Sequence, residues 1–142
     1  MSRCNCPQYI YLFDLDDTLL SHKCKVPRQT WWLLARLAKE GHGLGIVSNN
    51  PLLVSVAAGV GLTQYIPTER VLARASKGET RPALIARWLA HCEPDYAGIV
   101  RYYDDRADQV AEVNAADFGT GVKVVATLVE RPENLFNKVV LL

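Results

Sequence analysis

Three stretches of this chain follow one plan: an unbroken apolar run that halts at acidic or polar side chains. They are QYIYLFD at 8–14, running into Leu15-Asp16-Asp17, GLGIVS at 43–48, running into Asn49-Asn50, and GIVRYY at 98–103, running into Asp104-Asp105. Short runs of branched and aromatic residues with no polar alternation read as strands covered on both faces. Helically spaced segments separate them. The segment 27–40 (PRQTWWLLARLAKE) carries Trp31, Leu34, Leu37 and Ala38 at helical spacing, and Gly41 and Gly43 stop it. Pro51 sits where a helix can begin, ahead of an almost wholly apolar segment to about residue 58. Residues 70–74 (RVLAR) give a short strand. Thr80 caps a helix to about His91, with Pro82 in its first turn. Residues 107–116 read as a helix and 122–128 (VKVVATL) as a last strand. This alternation predicts an α/β fold, a three-layer sandwich around a central, mostly parallel sheet. Its 142 residues predict a single domain, 1–142.

Composition narrows the function classes. Sixteen Lys and Arg against fifteen Asp and Glu leave a net charge of +1, so no basic tail or acidic disordered tract is present to bind by bulk charge. No apolar run approaches the roughly 18 residues that span a bilayer, and the first residues lack the pattern of a secretory signal. A cytoplasmic protein with no membrane partner is expected. Cys4, Cys6, Cys24 and Cys92 are scattered, and the first two lack a second Cys or His pair at zinc spacing, so reduced thiols are expected.

In such sheets ligands bind beyond the carboxyl ends of the strands. Those ends bring Asp14, Asp16, Asp17, Asp104 and Asp105 to one edge. Two carboxylates about 5 Å apart repel by roughly 3 kcal/mol at an effective dielectric near 20. A nest of five therefore needs protons or a cation, and all-oxygen donors select Mg²⁺ over zinc or copper. An acidic turn or helix cap would also use such residues. A calcium loop fails on Leu19, where glycine is needed, and on Lys25, where glutamate is needed.

The segment Phe13–Leu20 (FDLDDTLL) is similar to the first motif of the haloacid dehalogenase-like (HAD) phosphatase superfamily, an apolar strand followed by Asp-x-Asp-x-Thr. Three further resemblances follow in order: Ile46-Val47-Ser48 for a strand ending in a hydroxyl, Lys77 for a lysine at a helix start, and Tyr103-Asp104-Asp105 for a strand ending in an acidic pair. The resemblance implies a Rossmann-like fold and an Mg²⁺-dependent phosphomonoesterase. In that reading Asp14 is the nucleophile that becomes an aspartyl-phosphate, and Asp16 protonates the leaving oxygen and then activates water. Mg²⁺ is held by Asp14, the main-chain carbonyl of Asp16, and Asp104. Ser48 and the amide of Asn49, at a helix start, take phosphate oxygens. Lys77 balances charge on the equatorial oxygens, with Arg74 or Arg81 as substitutes. Asp105 holds Lys77 or water at the metal, and Asp108 competes for that position. Thr18 completes the first motif and is counted with the substrate-binding residues.

Family members acting on small metabolites usually carry a cap domain. Neither the stretch from Asp14 to Ser48 nor that from Ser48 to Lys77 has room for one, so no cap domain is expected and an open site can admit a phosphate on a macromolecule. Lys23, Lys25 and Arg28 follow the first motif in the stretch the family uses as a flap, and Arg106 follows the acidic pair. These cations suit a polyanion. The run Asp104-Asp105-Arg106, continuing through Gln109-Val110 and Glu112, resembles the phosphatase half of phage-type polynucleotide kinase-phosphatases, which remove 3′-phosphates from nucleic acid ends. Nucleic acid is thus favoured over phosphoprotein. The alternatives are a phosphoprotein phosphatase of the same superfamily, a response-regulator-like domain that accepts a phosphoryl group, and an idle scaffold used for binding. Trp31 and Trp32 lie about 100° apart on their helix, so both cannot face the core; one is expected at the core's edge. The apolar segment 51–58 reads as a buried helix, with a face for a second copy of the chain as the alternative. His42 and His91 sit by helix ends as structural residues.

Overall fold

Residues 8–140 are described by a computed structural model of the chain. Five strands alternate with five helices along them: β1 (Ile10–Phe13), α1 (Arg28–Lys39), β2 (Gly43–Ser48), α2 (Leu53–Gly59), β3 (Val71–Ala73), α3 (Arg81–Cys92), β4 (Gly98–Asp104), α4 (Ala107–Ala115), β5 (Val122–Leu128) and α5 (Leu135–Val140). The sheet order is β3-β2-β1-β4-β5 and every pairing is parallel. β1 thus lies at the centre, with the two other polar-ended strands on either side of it. The order reverses between β1 and β4, and the crevice beyond such a reversal is where doubly wound sheets bind ligands.

Residues two apart on a strand face the same way, and β1 shows the consequence. Tyr11 and Phe13 join a core with Leu33, Leu34 and Leu37 of α1, Leu53 of α2 and Leu135 of α5. Ile10 and Leu12 join the opposite core with Leu84, Ile85 and Trp88 of α3 and Val113 of α4. The result is the expected three-layer α/β sandwich. Among the described residues, the β1–β2 connection holds a turn and α1, and the β2–β3 connection holds α2 and two single 3₁₀ turns, Leu62–Gln64 and Thr68–Arg70. No helix of the described residues is long and apolar enough to cross a membrane. Cys4 and Cys6 lie outside the described residues; Cys24 and Cys92 are free thiols.

Two expectations change. α2 is not a buried helix: Leu53 and Ala57 are buried, but Leu52 before it is 65% exposed and Val54 is 41% exposed. A seven-residue helix on an outer layer has only one face toward the sheet, however apolar its sequence. α5 extends the fold past the last strand expected from the sequence, and Leu135 and Val139 seat it against the α1 face. The tryptophans divide as expected. Trp31 packs against the core, whereas Trp32 is 54% exposed, with Phe136 beside it and the Arg36 guanidinium over its ring.

Gly45 illustrates how closely sheet and helix meet. The Trp88 indole packs against it, donating from Nε1 to the Arg70 carbonyl at 2.9 Å, and a Cβ at position 45 would overlap the ring. Gly45→Ala is expected to lower stability by about 1–3 kcal/mol, the cost of forcing atoms into a filled core. Urea unfolding measures it, and a variant as stable as the parent would mean that Trp88 can move away without loss.

Candidate active site

The acidic edge begins where β1 stops. The amide of Asp14 donates to the Tyr103 carbonyl at 2.9 Å, which carries the β1–β4 ladder one residue past the strand. The chain then closes into a tight turn. The amides of Leu19 and Leu20 both bond the Leu15 carbonyl at 3.0 Å, and Asp17 (φ 62°) bonds the Leu20 carbonyl at 2.8 Å. An aspartate tolerates this left-handed backbone better than most residues. The turn aims Asp16 and Asp17 outward and buries Thr18 completely.

β4 delivers Asp104 beside Asp14. Carboxylate oxygens of Asp14, Asp104 and Asp105 lie within 4.8 Å of one another. Asp104 is fully buried and Asp14 is 7% exposed. Burial, followed by the Asp104 charge, pushes the Asp14 carboxyl well above its ordinary 3.8, and the same two causes raise Asp105. Three carboxylates this close, two of them out of water, are a donor set of hard oxygens short of positive charge. That fits a divalent cation of the Mg²⁺ type.

One full positive charge reaches them from the protein. Thr80 caps α3 by accepting from the Ala83 amide at 3.2 Å, and the first helical residue, Arg81, turns into the site. Its Nη1 donates to Asp14 Oδ1 at 3.1 Å, the Val47 carbonyl at 3.2 Å and the Tyr102 phenol oxygen at 2.7 Å, and lies 3.8 Å from Asp104 Oδ2. Nη2 donates to Asn49 Oδ1 at 3.3 Å. Burial works against the charge on Arg81, and Tyr102, Asp14 and Asp104 outweigh it, so its pKa is held above the ordinary value. Around these groups lies an open recess of about 360 Å³. Asp14, Asp16, Asp17, Ser48, Asn49 and Asn50 line it together with Arg81, Asp105, Arg106 and Gln109.

The expected site residues fall into three groups. Asp14, Asp16, Ser48, Asn49, Asp105 and Arg106 share the recess, and Asp104 lies buried beside Asp14 and Asp105. The carboxylate of Asp16 faces that recess but stands outside the close trio. Asp105, not Asp108, joins the trio; Asp108 is exposed and pairs with Arg106 at 3.1 Å. Lys23 borders an adjoining recess with His22, Arg131 and Glu133. Lys25 and Arg28 are exposed and line neither of these two recesses.

Three assignments are corrected. Lys77 is exposed on a turn closed by the Glu79 amide on the Ser76 carbonyl, and does not line the recess. The helix begins four residues later, so the inward cation is Arg81. Thr18 is fully buried and does not line the recess. Asn49 does not sit at a helix start, because α2 begins at Leu53. It is Asn50 that accepts from the Leu52 amide at 2.9 Å, while its own amide donates to Ser48 Oγ at 3.1 Å. Tyr102, Asn50 and Gln109 went unassigned in the sequence. The capping pattern Thr80-Arg81-Pro82 was the available signal for Arg81; nothing local marks Tyr102.

No family model matches the sequence, and no curated protein matches it. A solved structure described as a possible sugar phosphatase of the HAD superfamily, from Cytophaga hutchinsonii, matches with a TM-score of 0.39 and 17% identity. The match covers 82% of this chain and 37% of that one, so the chain spans little more than a third of that neighbour's length.

The carboxylates set a pH dependence of stability. A carboxyl raised above its unfolded value favours folding while protonated, and that contribution is lost as pH rises through its folded pKa. The metal-free protein is therefore expected to lose stability as pH climbs above the ordinary carboxylate range. Mg²⁺, which binds the ionised forms, is expected to raise the melting temperature more at neutral than at acid pH. At about 100 times its dissociation constant the gain is about 2.7 kcal/mol. Melting curves across pH with and without Mg²⁺ check this; a gain independent of pH would remove the trio as the binding site.

Proposed function

We propose that the chain is an Mg²⁺-dependent phosphomonoesterase that works through an aspartyl-phosphate on Asp14. The observation that carries the reading is the meeting of Asp14, Asp104 and Asp105 at the ends of two neighbouring strands, with the Arg81 guanidinium 3.1 Å from Asp14, in a recess open to solvent. Asp14, Asp104 and Asp105 would hold the cation, with the main-chain carbonyl of Asp16 as the further ligand. When bound, it offsets the repulsion between an anionic nucleophile and an anionic phosphate.

The residues divide the chemistry as follows. An Asp14 oxygen forms a bond to phosphorus as the bond to the leaving alcohol breaks, and Asp16 gives its proton to that alcohol. Asp16 then takes a proton from water, whose oxygen attacks the same phosphorus and frees inorganic phosphate and the Asp14 carboxylate. Arg81 keeps Asp14 oriented and meets the charge that spreads over the equatorial oxygens. Ser48 and Asn49 supply polar contacts at the rim.

The substrate class we favour is a phosphorylated macromolecule, with a nucleic acid end ahead of a phosphoprotein. The open recess and the cations Arg106 and Lys23 at and beside it support this reading. A response-regulator-like role has less support, since the acceptor of such domains ends the third strand and β3 here runs from Ala73 into Arg74.

Hydrolysis of p-nitrophenyl phosphate tests the reading. Activity is expected to vanish in EDTA and to return with excess Mg²⁺. Asp14→Asn is expected to lower kcat by about 10⁴-fold or more, the scale seen when a nucleophile is removed. Arg81→Ala should cost about 10²–10³-fold, whereas Lys77→Ala should leave the rate unchanged. Equal activity in Asp14→Asn would remove the nucleophile. Phosphate release from 3′-phosphorylated oligonucleotides, 5′-phosphorylated oligonucleotides and phosphopeptides then ranks the substrates.

A further inference from the structure

We propose that Tyr102 is a positioning residue of this centre, holding Asp104 and Arg81 in register with one phenol. The inference rests on the phosphomonoesterase reading and adds to it a group that touches neither phosphate nor metal. Tyr102 and Asp104 are two apart on β4, so their side chains leave the sheet on the same face. The ring of Tyr102 is fully buried in the core with Leu84, Ile85 and Val113. For packing alone, phenylalanine or leucine would serve there. The hydroxyl instead reaches the acidic centre and is used twice: it donates to Asp104 Oδ2 and accepts from Arg81 Nη1 at 2.7 Å.

This double use has consequences for both partners. Asp104 Oδ1 accepts the Arg106 amide at 3.0 Å, so with Tyr102 on Oδ2 each carboxylate oxygen has one fixed protein partner. The rotation of the carboxylate is thereby set, and lone pairs on both oxygens stay free for a cation. Arg81 Nη1 is pinned between the phenol and Asp14 Oδ1, which fixes the guanidinium against the nucleophile. A hydroxyl on a rigid ring can do both because it is donor and acceptor at once. Outer groups of this kind typically change metal affinity or activity about 10–100-fold when removed.

The test is Tyr102→Phe, which keeps the ring and removes the hydroxyl. Calorimetric titration of Mg²⁺ into the substrate-free protein is expected to show binding weakened about tenfold. With p-nitrophenyl phosphate, kcat is expected to fall about tenfold or more while KM stays within about twofold, and raising Mg²⁺ should recover part of kcat. A purely structural role would not respond to added metal. Wild-type Mg²⁺ affinity and kcat in the variant would overturn the inference and leave the phosphatase reading standing. A wild-type protein that neither takes up Mg²⁺ nor hydrolyses the ester would overturn the reading and the inference with it. Should Tyr102→Phe fail to fold, [¹³Cζ]tyrosine labelling of the wild-type protein decides instead. The Tyr102 resonance should shift on addition of Mg²⁺, and an unmoved resonance would sink the proposal.

Discussion

Arg81 carries its charge at 5% exposure, and the groups that make this tolerable are the ones its charge makes tolerable in return. Removing a guanidinium and two carboxylates from water costs several kcal/mol for each ion, and the cost is offset only when their hydrogen bonds are well placed. Here Asp14, Val47, Tyr102 and Asn49 receive the guanidinium, while Asp104 sits just beyond hydrogen-bond range. These partners come from β2, β4 and the segments just after β1 and β2, so one side chain from α3 ties together the carboxyl ends of the three central strands. Had Arg81 been a lysine, its single point of charge could not have met partners on both terminal nitrogens at once.

The same region is left short of positive charge by design of the sheet. Parallel pairing brings the ends of β1 and β4 level, and the aspartates that stop the two runs must meet there. Both faces of the sheet are packed beneath that meeting. Tyr103 stacks on Phe13 with ring centroids 5.6 Å apart on one face, and Trp88 packs against Gly45 on the other. Each clamps a strand that ends in the site.

Much of this was legible in advance, for a physical reason. A strand buried on both faces must be apolar along its length, so its termination by Asp14, Ser48 or Asp104 stands out in the chain. The bounds of β2 and β5 agree with the sequence reading; Gly43 and Ser48 bound the first, and Gly121 precedes the second. What could not be read were directions. Thr18 and Asp16 lie two apart in a turn that closes on the Leu15 carbonyl, and the closure sends one inward and the other to solvent. Lys77 and Arg81 are both cations near the start of α3, and only the capped turn at Thr80 decides which of them enters the fold. α2 looked buried because its residues are apolar, but its layer has a side facing water.

The amino-acid sequence by itself determined the layers, the strands and the edge on which the acidic residues gather, since all three follow from where apolar runs begin and stop. Tertiary structure alone decided which cation serves those acids and which phenol holds it. The contacts of Arg81 with Asp14 and with Tyr102 join residues 67 and 21 positions apart. Local pattern carries no information at such separations, because the distance between two side chains there is set by how strands pair and helices pack.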